Sequence, residues 1–442
     1  MKVIKNIFLT NRFFYILLGL AGLFALSYAL HWIFYPAVIL TWIFFGITIW
    51  DAIQLFKIKE GVQLDRRYPE RLSNGDDNPI SFHIRNQYPF QVGIHVYESY
   101  PIQFQIRDNE YQQDIAAKSD IYITTTIRPT KRGVYTFRGT RILVKYLGFI
   151  QRRFLFDEPI DIACYPAFLQ LKKYTLLATT HKLEQLGVKR IRRIGANLEF
   201  DHIREYHKGD EYRNINWRAT AKSRKLMTNQ FEEEKAQPIY SLIDTGRSMR
   251  MPFNEMTLLD YAINSSLILS NITIIKGDKA GVIEFSKRIN KHVVATNKTY
   301  QMQQILEHLY QITTDFKESE FGRLYTYVRQ HIYQRSLLFL YTNFETLDAL
   351  ERQLPYLQLM NKSHILVVVM FKNSELQDII NAPAKTTHQI YTQTIAEQFM
   401  YDKQLIVQKL NSMGIQTILT EPQHLTLNAI NKYLEIKARG LI

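Results

Sequence analysis

The chain has 442 residues, 46% of them apolar and 22% charged, a composition of folded rather than disordered material with length enough for about three domains. A single cysteine, Cys164, excludes a disulfide framework, a zinc module built on two or more thiolates, and a dithiol redox centre. The net charge of +14 suits nucleic acid, anionic lipid or an acidic partner and selects none of them, so the placement of charge has to decide.

From Phe13 to Trp50 there is no Asp, Glu, Lys or Arg, a stretch that accommodates two helices of ~20 residues across a hydrocarbon layer ~30 Å thick. His31-Trp32-Ile33-Phe34-Tyr35-Pro36 interrupts it, because proline disfavours helix continuation and Trp and Tyr rings prefer the headgroup level. The pattern predicts a transmembrane helical hairpin, Phe13–Leu30 and Ala37–Phe56, within an N-terminal segment 1–57. Lys2, Lys5 and Arg12 precede it, and Lys57, Lys59, Arg66 and Arg67 follow it. The positive-inside rule then predicts a multi-pass protein of the inner (cytoplasmic) membrane, with both flanks and everything after residue 57 in the cytoplasm. A cleaved signal peptide is disfavoured, since the apolar tract is too long and lacks a small-x-small cleavage site. Trp32, Trp42 and Trp50 suit an interfacial anchor and equally suit core composition.

Across 58–166 short alternating runs such as Ile80–Ile84 and Val92–Val96, followed by Ile121–Ile127, Gly133–Phe137 and Arg141–Val144, predict a small antiparallel β-sandwich. No catalytic constellation lies there, and a spacer or interaction role is expected. Segment 167–237 opens with helical spacing over Phe168–Leu186 and continues as a basic linker without a core period. In 238–442 the strands Ile239–Ile243, Ala280–Phe285, Lys291–Ala295, Ser336–Tyr341, His364–Phe371 and Ile415–Leu419 alternate with helices Met256–Ile275, Tyr300–Tyr310 and Leu425–Lys437. That order predicts an open, mostly parallel α/β sheet of Rossmann type, whose sites lie at the carboxyl ends of strands.

The first strand of that sheet runs into Asp244-Thr245-Gly246-Arg247-Ser248. A carboxylate and a hydroxyl four residues apart can converge on a hard cation. The run resembles the Asp-x-Ser-x-Ser metal-ion-dependent adhesion motif of von Willebrand factor A domains, with Gly246 in place of the first serine and Arg247 beside any metal. The resemblance implies two further ligands from later loops, an aspartate and a threonine; Asn343 stands where the aspartate is expected, and Thr296 or Thr299 is a loose match for the threonine. With one carboxylate left, Asp244 and Ser248 are expected to serve backbone donors at a helix start rather than hold a metal tightly, so weak Mg²⁺ is the most that is expected and no cofactor is certain.

A longer signature precedes it: Glu199-Phe200, then Arg204-Glu205-Tyr206, Gly209-Asp210, Arg213, Ile215-Asn216-Trp217 and Ala221-Lys222. With Arg128–Tyr135 and Tyr165-Pro166 upstream, this resembles the domain-of-unknown-function 58 family from about residue 10 to the C-terminus. Lys145-Tyr146-Leu147-Gly148-Phe149 departs from that family's usual acidic residue and proline before the Leu-Gly step. The resemblance implies a membrane-anchored bacterial protein with a von Willebrand factor A-like domain, working with a MoxR-type AAA+ ATPase on unidentified protein clients.

From the residues themselves, Asp210 is expected to cap a helix carrying Arg213 at its third position, with Trp217 one turn later packed onto the sheet. Glu199, Arg204, Glu205, Asp210 and Arg213 form either an internal network or a docking surface. The run Lys189-Arg190-Ile191-Arg192-Arg193 could meet phosphates of lipid or nucleic acid, although a short basic run is usually a solvated face, and nucleic acid is not the expected partner. The sequence holds no phosphate-binding Gly-x-x-x-x-Gly-Lys loop, no His-Glu-x-x-His and no Gly-x-Ser-x-Gly elbow. A non-enzymatic adaptor or scaffold is therefore expected. The alternatives are a metal-dependent enzyme using the Asp244 loop and a nucleic-acid-binding protein using residues 187–225.

Overall fold

Thr10 starts the first helix: its hydroxyl accepts the Phe13 N–H, and α1 runs Asn11–Ala29. A 3₁₀ turn, His31–Ile33, reverses the chain, and α2 follows over Phe34–Lys57. Pro36 therefore lies in the first turn of α2 instead of before it, because a missing N–H costs no intrahelical bond there. Both helices are long and apolar enough to cross a membrane. In the computed structural model residues 6–106, 110–179, 198–207, 210–233, 236–314 and 316–441 are described, in two units, Met1–Tyr165 and Pro166–Ile442.

The first unit joins the hairpin to a β-rich region. Strand β1 (Ile7–Leu9) precedes α1, and β2 (Val62–Arg67), β3 (Arg71–Ser73), β4 (Asn78–Asn86) and β5 (Val92–Glu98) follow α2. Then come β6 (Glu110–Ile115), β7 (Asp120–Ile127), β8 (Gly133–Phe137), β9 (Thr140–Lys145), β10 (Ile150–Phe156) and β11 (Ile160–Tyr165). They form sheets ordered β1-β10-β9-β5-β6, β2-β4-β7 and β3-β11-β8. Alternation works as period two requires: Phe82 and Ile84 of β4 meet Val92, Ile94 and Val96 of β5 in one core. Leu72, Tyr135, Phe137, Ile162 and Cys164 fill a second core.

Two features depart from the expected antiparallel sandwich. β3 and β11 pair in parallel, and β1, from ahead of the hairpin, pairs with β10 in the register Leu9↔Ile150. A three-residue strand beside an apolar helix carries too little periodicity to be read from sequence.

In the second unit α3 (Phe168–Thr179) precedes a β-hairpin of β12 (Leu198–Glu205) and β13 (Met227–Glu233), with α4 (Trp217–Ser223) between its strands. The segment expected as a linker is thus ordered in part, and the Lys189–Arg193 run lies outside the described residues. The sheet that follows is built from β14 (Pro238–Asp244), two short strands β15 (Pro252–Phe253) and β16 (Met256–Thr257) lying apart, α5 (Leu258–Ile275), β17 (Lys279–Phe285), β18 (Ile289–Thr296), α6 (Gln301–Gln311), α7 (Phe321–His331), β19 (Leu337–Tyr341), α8 (Leu347–Ser363), β20 (Ile365–Phe371), α9 (Ser374–Asn381), α10 (Thr387–Ser412), β21 (Gln416–Thr420) and α11 (Leu425–Ala438).

The sheet order is β18-β17-β14-β19-β20-β21, parallel except for the edge strand β18. One face packs under α5, α6 and α11, the other under α7, α8 and α10. A Thr257–Asp260 capping box starts α5. That helix is apolar enough to span a membrane, yet it is buried on nearly all sides between the sheet and its neighbouring helices.

Candidate functional site

The carboxyl edge of the parallel strands gathers the Asp244 loop. Asp244 is the last residue of β14 and is buried; its Oδ1 accepts the Gly246 N–H at 2.8 Å and the Ser319 hydroxyl, and its Oδ2 accepts the Thr342 hydroxyl at 2.7 Å. Gly246 is required by space, since a Cβ there would meet Ser319 Oγ at 2.2 Å. Asn343 follows β19 as expected, but its Oδ1 accepts from Lys403 Nζ of α10 at 2.5 Å, and the same ammonium reaches the Phe344 carbonyl at 2.5 Å. Burial pushes Lys403 down to about 8, against the opposing attraction of Glu345.

A cavity of about 450 Å³ opens here, lined by Asp244, Ser248, Ser319 and Asn343. A smaller apolar pocket of about 250 Å³ shares Asn343 and Glu345 with it and is walled by Phe371 and Phe399.

Thr296, proposed above as a ligand, sits at the other end of the sheet. β18 is antiparallel, so its last residue pairs with Ala280 at the start of β17, and its hydroxyl donates to Gln301. The hydroxyls that do meet Asp244 are Ser319, from the loop before α7, and Thr342; nothing in the sequence around Ser319 signals this. Among the described residues no three His, Cys, Asp or Glu side chains converge on a metal position. The donor set does not fit a tightly held divalent cation: one carboxylate is engaged by three donors, and the Asn343 amide oxygen is engaged by an ammonium.

The signature forms a second site around the β12–β13 hairpin. Arg204 pairs with Asp210 at 2.7 Å, and Asp210 also accepts the His207 N–H at 2.9 Å, which holds its carboxyl below the usual range. Glu205 pairs with Lys225 at 2.5 Å instead of joining that group. Tyr206 donates to the Asp210 carbonyl at 3.3 Å and lies beside the Tyr212 ring. The backbone of Glu199 pairs with that of Glu232, and Gly209 lies outside the described residues.

Asp210 does not cap a helix. Tyr212–Asn214 is a 3₁₀ turn, and Asn216 is the N-cap of α4, accepting the Ala219 N–H at 2.9 Å. Arg213 and Trp217 therefore do not share a helical face. Buried Ile215, bridged to Thr228, anchors the segment, while Trp217 and Tyr212 are 68% and 77% exposed. Arg213 and Lys222 are exposed as well. The Asn-x-Trp order contained this outcome, since asparagine is the better cap.

No curated protein matches the chain. Among solved structures it is similar to a PapD-like domain of human CEP192 at 12% identity, covering 24% of this chain and 87% of that one with a TM-score of 0.19. It is also similar to proximal thread matrix protein 1 from the mussel byssus at 12% identity, covering 46% of this chain and 47% of that one with a TM-score of 0.26. Residues 202–379, which take in most of the β12–β13 signature module and the Asp244 edge, match the family described as "Protein of unknown function DUF58".

Proposed function

We propose that the chain is a membrane-anchored, non-enzymatic adaptor or scaffold whose von Willebrand factor A-like domain cooperates with a MoxR-type AAA+ ATPase to assemble or activate protein complexes at the cytoplasmic face. One observation carries the reading: the signature module turns Tyr212, Arg213 and Trp217 outward while a buried isoleucine and an Arg204–Asp210 pair hold it in shape. Exposed Trp, Tyr and Arg on a fixed support are the residue types that dominate protein interfaces. The strand order, with one antiparallel edge strand, supports the von Willebrand factor A-like reading, and the partner class rests on the sequence resemblance alone. A metal-dependent enzyme would need ligands at Asp244 that hydroxyl groups already engage.

The test is recovery of a MoxR-type ATPase of the same cell on the full-length chain in detergent. Trp217→Ala and Arg213→Ala are expected to lower recovery by about tenfold or more, the scale of one interface anchor. Their melting temperatures should stay within about 2 °C of the parent, since both side chains are exposed. Unchanged recovery with both variants would remove the module as the docking element.

Membrane topology has its own support. β1 lies before the hairpin and β10 after it, and they pair within one sheet, which supports a topology with both ends of the hairpin on one side of a bilayer. A thiol introduced at Phe34 should react from outside intact cells, and one at Glu70 only after permeabilisation. External reaction at Glu70 would overturn the orientation.

A further inference from the structure

The Tyr146-Leu147-Gly148-Phe149 turn between β9 and β10 has no part in the reading above, although it departs from the family pattern. It is bonded to both helices of the hairpin. Asp51 of α2, fully buried, accepts the N–H groups of Leu147, Phe149 and Ile150 at 3.2, 3.3 and 3.2 Å. Thr10, at the head of α1, donates its hydroxyl to the Gly148 carbonyl at 2.6 Å and its N–H to the Phe149 carbonyl at 3.1 Å. Gly148 has φ +91°, a conformation that side chains rarely adopt, and Arg12 lies against it. The turn is therefore fixed where the two helices leave the sheet, with its irregular backbone satisfied by protein, as a position at the membrane boundary requires.

Depth and surface chemistry agree. The Phe149 ring lies 5.7 Å from that of Phe44, which itself contacts Phe13 at 5.2 Å. Phe44 precedes Asp51 by about two helical turns, or ~10 Å of rise, toward the hairpin tip. Phe149 thus reaches into the level of the apolar helices while its own N–H bonds Asp51 below. Beside it Leu147, Phe8 and Leu9 leave 40%, 41% and 44% of their surface exposed. Cations fringe this patch: Arg12, which lies against Gly148, and Arg153, whose guanidinium lies 5.3 Å from the Phe8 ring centre, with exposed Lys57 and Lys59 at the end of α2 and just after it. Apolar side chains bordered by Lys and Arg match the acyl boundary below an anionic headgroup layer.

We propose that this turn and β1 form an apolar collar at the root of the hairpin that rests in the headgroup and upper acyl region of the bilayer, a third membrane contact besides the two helices. The proposal rests on the hairpin spanning the membrane. Its occupant is lipid, because the patch is continuous with the surface of the helices.

The test uses the full chain in phosphatidylcholine–phosphatidylglycerol vesicles with a nitroxide at Leu147→Cys, and with reference labels at Trp42→Cys and Arg138→Cys. Cys164 is buried, so labelling is directed to the introduced thiol. Arg138 is exposed at the opposite end of β9 and reports water; Trp42, 76% exposed on α2, reports the acyl chains. The ratio of collision with oxygen to collision with a water-soluble nickel chelate is expected at Leu147 to exceed that at Arg138 by about threefold or more.

A Leu147 label as open to the chelate as Arg138, with Trp42 shielded, would overturn the collar and leave the spanning hairpin intact. A Trp42 label open to the chelate would overturn the spanning reading and the collar with it. A Leu147 label shielded from both reagents, in proportion to protein density in the vesicle, would assign the patch to a second copy and also overturn the proposal.

Discussion

Arg152→Ala should destabilise the N-terminal unit by about 3–5 kcal/mol, since several carbonyls lose a charged donor at about 1.5–3 kcal/mol each and regain part of it from water. Arg152 is 9% exposed, and its guanidinium donates to the carbonyls of Leu55 and Ile58 at 2.5 Å and of Lys59 at 2.6 Å, with the Tyr88 hydroxyl at 3.1 Å. These carbonyls end α2 or follow it directly, where a helix leaves acceptors without intrahelical partners. The guanidinium also lies over the rings of Phe56 and Phe154, 4.8 and 4.4 Å from their centres. Alanine removes the donors and leaves a void beside two aromatic rings. Lysine restores charge but not the fork or its contact with the rings, so Arg152→Lys should recover only part of the loss. In thermal unfolding of the detergent-solubilised chain the alanine variant is expected to melt about 10 °C lower, against less than about 2 °C for the exposed Arg138→Ala. A loss below about 1 kcal/mol would show that water replaces the guanidinium at those carbonyls without penalty.

That network marks the limit of what the sequence conveys. Period-two and helical spacing locate Gly133–Phe137 and all six strands of the α/β sheet, because each buries one or both faces over several residues. The expected elements omit α7, α8, α9 and α10, although α7 has a clear apolar stripe through Phe321, Leu324 and Val328. α8 carries Pro355 in its interior, which reads as a break. The first half of α10 is exposed on nearly every side and so lacks a buried face to give it a period.

The site divides in the same way. Asp244 and Asn343 are legible because strand ends fix them, whereas Lys403 comes from a helix 60 residues beyond Asn343 and Ser319 from a loop without periodicity. Asp51 and Arg152 are single charges whose meaning exists only after the hairpin has folded back onto the sheet.

Asp244→Ala is expected to cost about 2–4 kcal/mol of stability, by the same amount in Mg²⁺ and in EDTA. The carboxylate is 1% exposed and accepts from Gly246 N, Thr342 Oγ1 and the Ser319 hydroxyl. Hydrogen bonds to a charged acceptor contribute about 1.5–3 kcal/mol each, and the Ser319 and Thr342 hydroxyls regain part of that by turning toward the adjoining cavity. Asp244→Asn keeps the volume and one carbonyl acceptor, and the Thr342 hydroxyl can rotate to accept from the new amide, so its loss should be smaller.

Metal enters through linkage. A micromolar Mg²⁺ site would raise the stability of the parent chain by about 5 kcal/mol at ~10 mM Mg²⁺, an effect that Asp244→Ala would abolish. With Lys403 holding the Asn343 oxygen, the expectation is instead an affinity weaker than about millimolar and a melting temperature that Mg²⁺ barely moves. Calorimetric titration of the full chain that found a micromolar site, lost on Asp244→Ala, would mean that Lys403 yields its position to the cation and that the edge is a metal centre after all. Equal destabilisation with and without Mg²⁺ would establish the Asp244 cluster as a device that ties the β14, β19 and Ser319 loops together, leaving recognition to the aromatic surface of the signature module.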